Sequence, residues 1–309
     1  MRGRLAPSPT GAQHIGNART YLLAWLSARS QNGEIVLRIE DIDIWRNKPD
    51  AQVQLLADLR WLGLDYDGEA ILQSSRLDHH VEALERLKKL ELVYPCTCSR
   101  SDIENAASAP HLEHEGPTYP RLCYGRTAAD AEQLTGPFAW RFRVEYSPSF
   151  TDRFAGPVSI DLNQAGGDFV VWRSANVPAY QLAVVVDDAA AGVTEIVRGD
   201  DLLTSTPRQL LLAEALGLPA PSHTHVPLVV GDEGRRLAKR HGDTRLSSLA
   251  AASVKPEALI GLLAWSCGWL DKPEPISARE LIPLFRWDTV PREPFHLKPE
   301  HLRSLGYAP

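Results

Sequence analysis

The sequence predicts an α/β protein built on a parallel sheet, and three observations carry that reading. Over residues 1–95, short apolar strand-like runs alternate with stretches of helical periodicity. A turn marked by proline and glycine joins the first strand to the first helix. Charged residues gather just past the strand ends, where open α/β sheets place their ligand-binding groups.

The chain opens in the order β-α-β-α-α. Arg4-Leu5-Ala6 ends a first strand, and Pro7-Ser8-Pro9-Thr10-Gly11-Ala12-Gln13-His14-Ile15-Gly16-Asn17 follows as a turn. Ala18, Tyr21, Leu22, Trp25 and Leu26 then fall at helical spacing. Asn32-Gly33 breaks the helix, and Glu34–Ile39 reads as a buried strand with Glu40-Asp41-Ile42-Asp43 at its carboxyl end. Pro49 opens a helix in which Leu55, Leu56, Leu59 and Leu62 share a face and Gly63 caps the end. A further helix covers about Leu77 to Leu92, with Val81, Leu84 and Leu87 as its stripe.

Composition shifts at Cys96. Prolines, glycines and small polar residues run to about Gly167, helical periodicity is weak past Ala107, and the stretch reads as an insertion. Parallel-sheet character is expected to return at Asp168–Trp172 and to continue through Gln181–Asp188 and Thr194–Gly199. Thr206-Pro207 reads as an N-cap and first turn, with Leu212, Ala215 and Leu216 on the helix stripe and Gly217 at its end. His225–Val230 is a last strand, and Gly231–Gly242 is a glycine-bounded basic loop. From about Leu246 the chain reads as helical, Pro256 opening a helix with Leu259, Ile260, Leu263 and Ala264. The expected division is 1–95, first half of the sheet domain; 96–167, insertion; 168–245, second half with the basic loop; 246–309, helical subdomain.

A chain of 309 residues holds one large or two to three small domains. Its 44% hydrophobic and 23% charged content is that of an ordinary globular protein. A net charge of −6 announces no nucleic-acid partner globally, so any basic surface must be local. Four cysteines are too few for a disulfide scaffold of this size. The longest apolar runs, such as that through Val184-Val185-Val186, are far too short to span a membrane, and the N-terminus shows no apolar signal segment. The expectation is a cytoplasmic monomer without a membrane partner.

Three constellations carry chemistry. In the first turn, Gly16 lets a phosphate approach the backbone, the helix start favours an anion, and the His14 ring can donate to a phosphate oxygen. Far downstream, Arg236-Leu237-Ala238-Lys239-Arg240 offers mobile cations. Cys96-x-Cys98 followed by Cys123 supplies three thiols, with Tyr119, His111 and His114 as candidates for a fourth ligand. Cys267, in an apolar helix, reads as a buried thiol.

The run from Arg4 to Thr20 resembles the first signature of class I aminoacyl-tRNA synthetases, the glutamyl branch in particular. Arg236–Arg240 resembles that branch's second signature, K-L-S-K-R, with Arg236 replacing the first lysine and Ala238 the serine. Leu37–Asp43, Tyr180–Asp188 and Ile196–Asp201 are similar to further runs of the same branch, and Tyr119–Cys123 to its Y-P-G-T-C. The resemblance implies a Rossmann-type catalytic domain with a zinc-bearing insertion. It implies ATP, accompanied by Mg²⁺, at His14, Gly16, Asn17, Arg236 and Lys239, with His14 and Lys239 catalytic. It implies glutamate at Arg4, Ser8, Glu40, Tyr180 and Arg198, where Arg4, Tyr180 and Arg198 read the side-chain carboxylate and Ser8 and Glu40 hold the amino end. It implies structural Zn²⁺ at Cys96, Cys98, Tyr119 and Cys123.

Only about sixty residues follow the basic loop, room for a small helical bundle. With Gln181 and the cysteine pattern, this short glutamyl-type chain resembles the glutamyl-queuosine tRNA(Asp) synthetase family. That resemblance implies activation of L-glutamate without tRNA and its transfer to queuosine in the anticodon of tRNA(Asp). The alternatives are a truncated glutamyl-tRNA synthetase charging the 3′ end of tRNA(Glu), or a non-catalytic RNA-binding paralogue. Arg208, Arg235, Arg236, Lys239, Arg240 and Arg245 are candidate phosphate contacts.

Overall fold

In the computed structural model, residues 1–42, 50–106, 118–235, 237 and 244–307 are described. The elements run β1 (Arg2–Leu5), α1 (Ile15–Arg29), β2 (Glu34–Ile39), α2 (Ala51–Trp61), β3 (Ile71–Leu72), α3 (Leu77–Lys89), β4 (Val93–Cys96) and α4 (Arg100–Ala106). There follow β5 (Ala139–Phe142), β6 (Phe150–Asp152), β7 (Gly156–Val158), β8 (Phe169–Arg173), β9 (Val177–Pro178), α5 (Tyr180–Ala190), β10 (Glu195–Gly199) and α6 (Ser205–Ala215). The last are β11 (Ser222–Val226), β12 (Val229–Gly231), α7 (Leu246–Ala251), α8 (Pro256–Ser266), β13 (Phe295–Leu297) and α9 (Pro299–Ser304). They divide into two units, one of Met1–Leu72, Val193–Leu202 and Ser222–Pro309, the other of Gln73–Gly192 and Leu203–Pro221.

The first unit holds the parallel sheet. β1 pairs in parallel with β2, and β2 with β3. A parallel pair needs a long crossover, and α1 supplies it. The backbone amide of Thr194 donates to the Arg2 carbonyl at 2.9 Å, tying the start of β10 to β1. β10 pairs in parallel with β11, setting Arg198 opposite His225, and β12 pairs in parallel with β13. Helix α1 is buried on nearly every face, through Ile15, Ala18, Leu22, Leu23, Trp25 and Leu26. Beneath it the buried Arg19 donates to the Pro227 carbonyl at 2.7 Å and to Ser266 Oγ at 3.2 Å, anchoring the end of α8. Gly261 in α8 meets the irregular segment that follows so closely that a β-carbon would stand 1.9 Å from the Glu274 carbonyl oxygen. Pro256 opens α8 as expected, with Leu259, Ile260, Leu263 and Ala264 buried.

The second unit is different in kind. Its sheet, in the order β4-β5-β8-β9, is antiparallel throughout. Its core packs Trp140, Phe142, Phe169, Val171 and Trp172 with apolar residues of α3, α5 and α6. Two expectations are corrected here. Asp168–Trp172 yields a strand, β8, but an antiparallel one. Gln181–Asp188 is not a strand but the body of α5. Leu182 and Val184 to Val186 are all buried, and an apolar run enclosed on every side has no period with which to tell helix from strand. Three boundaries also move. His225–Val230 divides at Pro227, which has no N–H to give a ladder, into the end of β11 and the start of β12. The third helix ends at Lys89, and Leu92 precedes β4. Thr206 lies inside α6, whose cap is Thr204. Asp43 and Pro49 lie outside the described residues. No helix among them is long and apolar enough to cross a membrane.

Candidate active site

The turn after β1 is closed by its own side chains. His14 caps α1 by accepting the Asn17 amide on Nδ1 at 3.3 Å, while Asn17 Oδ1 accepts the His14 amide at 3.1 Å. This reciprocal cap satisfies two donors at the helix start. An Nδ1 that accepts leaves the proton of a neutral ring on Nε2. Burial holds the His14 imidazole below the usual histidine range, so the neutral ring with an Nε2–H donor is the form favoured near pH 7. Gly16 has a sharper role than the sequence suggested. A β-carbon there would stand 2.9 Å from His14 Cε1 and 3.0 Å from Nδ1, so only glycine leaves the ring in its capping position.

The second signature is tethered to this turn. Lys239, Arg236, Ala238 and Arg240 lie outside the described residues, but both flanks of their loop are described. On one side Val229 of β12 lies 3.6 Å from where a Gly16 β-carbon would be, and the Gly231 amide donates to the Arg235 carbonyl at 2.8 Å. On the other side the Ile15 amide donates to the Thr244 carbonyl at 3.1 Å, and the Leu246 amide to the Gln13 carbonyl at 2.9 Å. These two bonds flank an antiparallel bridge between His14 and Arg245. The loop therefore leaves and rejoins the fold beside the helix start.

Around the ends of β1 and β2, the Glu40 amide donates to the Pro7 carbonyl at 2.9 Å. Glu40 Oε1 accepts Arg38 Nη2 at 3.1 Å, and Ser8 Oγ lies 3.5 Å from Oε2. Ser8 and Glu40 are thus brought together as expected, and Arg4 is buried in β1. One residue was missed. Tyr21 donates to Gln13 Oε1 at 2.6 Å, and its phenol is pushed up by burial and by the charges of Glu40 and Asp58. In the sequence Tyr21 shows only as one more residue on the apolar stripe of the first helix.

Arg198 is buried in β10 and donates from Nε to His225 Nε2 at 2.9 Å. Tyr180 belongs to the second unit, where it begins α5 and is half-exposed. Among the candidate RNA contacts, Arg208 is corrected. It is buried in the second unit, with its guanidinium on the carbonyls of Ala165 and Thr204, and serves packing. Arg235 and Arg245 are exposed.

Also in the second unit, the sulfurs of Cys96, Cys98 and Cys123 lie within 4.8 Å of one another. Cys98 Sγ is 3.5 Å from Cys123 Sγ, close to the ~3.7 Å edge of a tetrahedron with metal–sulfur bonds of ~2.3 Å. The Tyr119 hydroxyl stands 3.3 Å from Cys96 Sγ and 3.9 Å from Cys98 Sγ and accepts the Cys123 amide at 3.0 Å. His111 and His114 lie outside the described residues. Burial and the adjacent sulfurs push the Cys98 thiol up to about 12. Against the cost of burial, the Thr97 amide, Cys98, Tyr119 and Arg126 bring the Cys123 thiol down to about 7. Thiols crowded this closely cannot all ionise without a cation among them, so the donor set suits a thiophilic dication. Cys267 stands apart, a buried thiol as expected, but at the C-cap of α8 rather than within the helix.

A family model described as the catalytic domain of class I tRNA synthetases (E and Q) matches residues 1–303. The chain belongs to this family. Within it, the chain is 48% identical to the glutamyl-Q tRNA(Asp) synthetase of Symbiobacterium thermophilum over 98% of both chains. It is 50% identical to that of Rhodopirellula baltica over 94% of both. A glutamate–tRNA ligase of Oleidesulfovibrio alaskensis is 39% identical and covers 98% of this chain, which spans 65% of that ligase. Among solved structures, the glutamate-tRNA synthetase of Elizabethkingia anophelis superposes with a TM-score of 0.83 at 27% identity, covering 99% of this chain and 69% of its own.

Proposed function

We propose that this chain activates L-glutamate with ATP, without tRNA, and transfers it to queuosine in the anticodon of tRNA(Asp). The carrying observation is the 48% identity, over 98% of both chains, to a relative named for that reaction. In the first step a glutamate α-carboxylate oxygen attacks the α-phosphorus and pyrophosphate leaves. In the second a hydroxyl of the queuosine ring attacks the adenylate's carbonyl carbon, forming an ester as AMP leaves.

The residue roles proposed are those the family resemblance implies, supported by the geometry of the described residues. The His14 Nε2–H and the Gly16 amide hold the phosphates, which Mg²⁺ accompanies, while Asn17, its amide on His14 Nδ1, orients that ring. Lys239, with Arg236, meets the charge that develops on the α-phosphate and pyrophosphate, and the tethering of their loop beside His14 supports that role. Ser8 and Glu40 take the substrate ammonium. Arg4, Tyr180 and Arg198 read its side-chain carboxylate, since guanidinium groups bind carboxylates with two parallel bonds. Cys96, Cys98, Cys123 and Tyr119 would hold zinc, which supplies a cross-link to an insertion, 96–167, that is poor in helical pattern. Segment 246–309, with α7, α8, β13 and α9, belongs to a chain proposed to act as a cytoplasmic monomer.

The test supplies three RNAs to the pure protein with ATP and labelled glutamate: tRNA(Asp) with queuosine, tRNA(Asp) from cells unable to make it, and tRNA(Glu). Charging of the first alone is expected, with glutamate-dependent exchange of pyrophosphate into ATP when RNA is left out. Robust charging of either of the others would return the chain to the ordinary glutamate–tRNA ligases, to which it is also related.

A further inference from the structure

Tyr119-Pro120-Arg121-Leu122-Cys123 carries two members of the sulfur cluster's donor set, and Arg121 stands between them with φ of 55°. That is the left-handed region, which a β-carbon disfavours and a glycine adopts freely. A long cation at this position needs an offsetting contact, and it has one. Arg121 donates from Nε and Nη2 to Asp168 Oδ1 at 3.2 and 3.0 Å, and from Nη2 to the Val144 carbonyl at 2.6 Å. Its guanidinium also lies over the Tyr124 ring.

Asp168 is wholly buried, and the segments of the sulfur cluster converge on it although it is not one of the donors. The Tyr94 hydroxyl, two residues before Cys96, donates to Oδ2 at 2.8 Å. The Val144 amide donates to Oδ1 at 2.9 Å. The Asp168 carbonyl accepts Arg141 Nη1 at 2.8 Å. Arg141 in turn donates from Nε to Cys96 Sγ at 3.3 Å and lies over the Tyr119 ring at 3.9 Å. Just ahead of Asp168, the Gly166 carbonyl accepts the Tyr119 amide at 3.0 Å.

We infer that Arg121 and Asp168 form a clasp that positions the Tyr119–Cys123 arm for the metal, an inference that rests on the zinc reading of the sulfur cluster. Zinc ligands are ordered by the hydrogen bonds behind them, and losing one such support typically weakens metal binding by about 10–100-fold. The clasp makes a prediction opposite in sign to mere tolerance of Arg121. If the arginine were only tolerated, Arg121→Gly would relieve the left-handed backbone and hold metal at least as tightly. If it positions the arm, the same substitution loosens the metal although the backbone relaxes.

The experiment measures zinc content, then zinc release to a chromogenic chelator, then the visible spectrum of the cobalt-substituted protein, for wild type, Arg121→Gly and Arg121→Lys. Release from Arg121→Gly on the order of tenfold faster is expected, with altered cobalt bands and an unchanged far-ultraviolet circular dichroism spectrum. Arg121→Lys, the gentler change, keeps the charge but not the two-point donation to Asp168, and is expected to fall between. Release from both variants at or below the wild-type rate, with the wild-type cobalt spectrum, overturns the clasp alone. Wild-type protein that binds no zinc overturns the metal reading together with it.

Discussion

At the His14 turn, the cap that shapes the site closes between residues three positions apart. At the sulfur cluster, the fixing contacts join residues separated by 23, 25, 47 and 74 positions. The cap of the first site is held by two backbone amides, one imidazole and the Asn17 carboxamide, and its geometry follows from a short string of letters. The second is held by arginines, a tyrosine and a buried carboxylate recruited from separate strands and turns. A local site is broken by a substitution at its own positions. A dispersed site can also be broken from residues that never touch its ligand.

The largest effect is expected at Lys239, proposed to meet the phosphates from a loop whose flanks are tied to the His14 turn. Removing one donor aimed at developing phosphate charge costs about 3–4 kcal/mol of transition-state stabilisation. Lys239→Ala should therefore slow single-turnover adenylation by about 10²–10³-fold, with ATP affinity less changed. A loss of about tenfold or less would move the role to Arg236 or Arg240.

Gly16→Ala comes next and tests the locality directly. The new β-carbon must push the His14 ring off the Asn17 amide. Misplacing a reacting group by about 1 Å costs on the order of 10²-fold, and a loss of that order is expected in pyrophosphate exchange. Zinc content should stay at the wild-type level. A Gly16→Ala protein within a few-fold of wild type would show that the ring position is not what the turn is built to hold.

The same contrast explains what could be read from the sequence. The turn, the helix after it and the strand ending at Ile39 were legible because each is a short-range pattern, and the thiols showed as a Cys-x-Cys pair with a distant third cysteine. The fold of 181–188 was not, because Val184-Val185-Val186 is enclosed on all sides and presents no period. Arg208 looked like a free cation and is a buried packing group, since its partners are the carbonyls of Thr204 and Ala165. Asp168 looked like the first residue of a strand. Its part in ordering the cysteine arm depends on Tyr94, Arg121 and Arg141, which no spacing rule connects. The arginine at position 121 was visible as a departure from the family's glycine, but its meaning waited for φ and for Asp168.

Cys98→Ser is the matching break for the dispersed site. Cys98 Sγ lies 3.5 Å from Cys123 Sγ and 3.9 Å from the Tyr119 hydroxyl, so its loss opens two edges of the set. Zinc content is expected to fall below half and the thermal midpoint by a few degrees, about 2–4 °C for each kcal/mol lost in a chain of this size class. Full zinc in that variant would count against Cys98 as a ligand.

The smallest effect is that of pH on the His14 cap. Burial lowers the His14 pKa in the folded protein, while the unfolded chain titrates at about 6.5. Above the unfolded value both states carry a neutral ring, and the cap's contribution is fully present. As pH falls from there toward the folded value, the unfolded chain binds a proton that the folded one lacks, so stability drops. Below the folded value the ring is charged in both states, Nδ1 carries a proton and can no longer accept the Asn17 amide, and the cap is lost. A cap of this kind contributes about 1 kcal/mol, which bounds that part of the change. Nitrogen-15 spectra of the imidazole should show a neutral Nε2–H ring at pH 7 that titrates below the free-histidine value. Pyrophosphate exchange should decline over the same acid range, and Asn17→Ala should move that range. A proton found on Nδ1 at pH 7, or a titration at or above the free value, would remove the cap, and with it the donor aimed at phosphate, from the account of this turn.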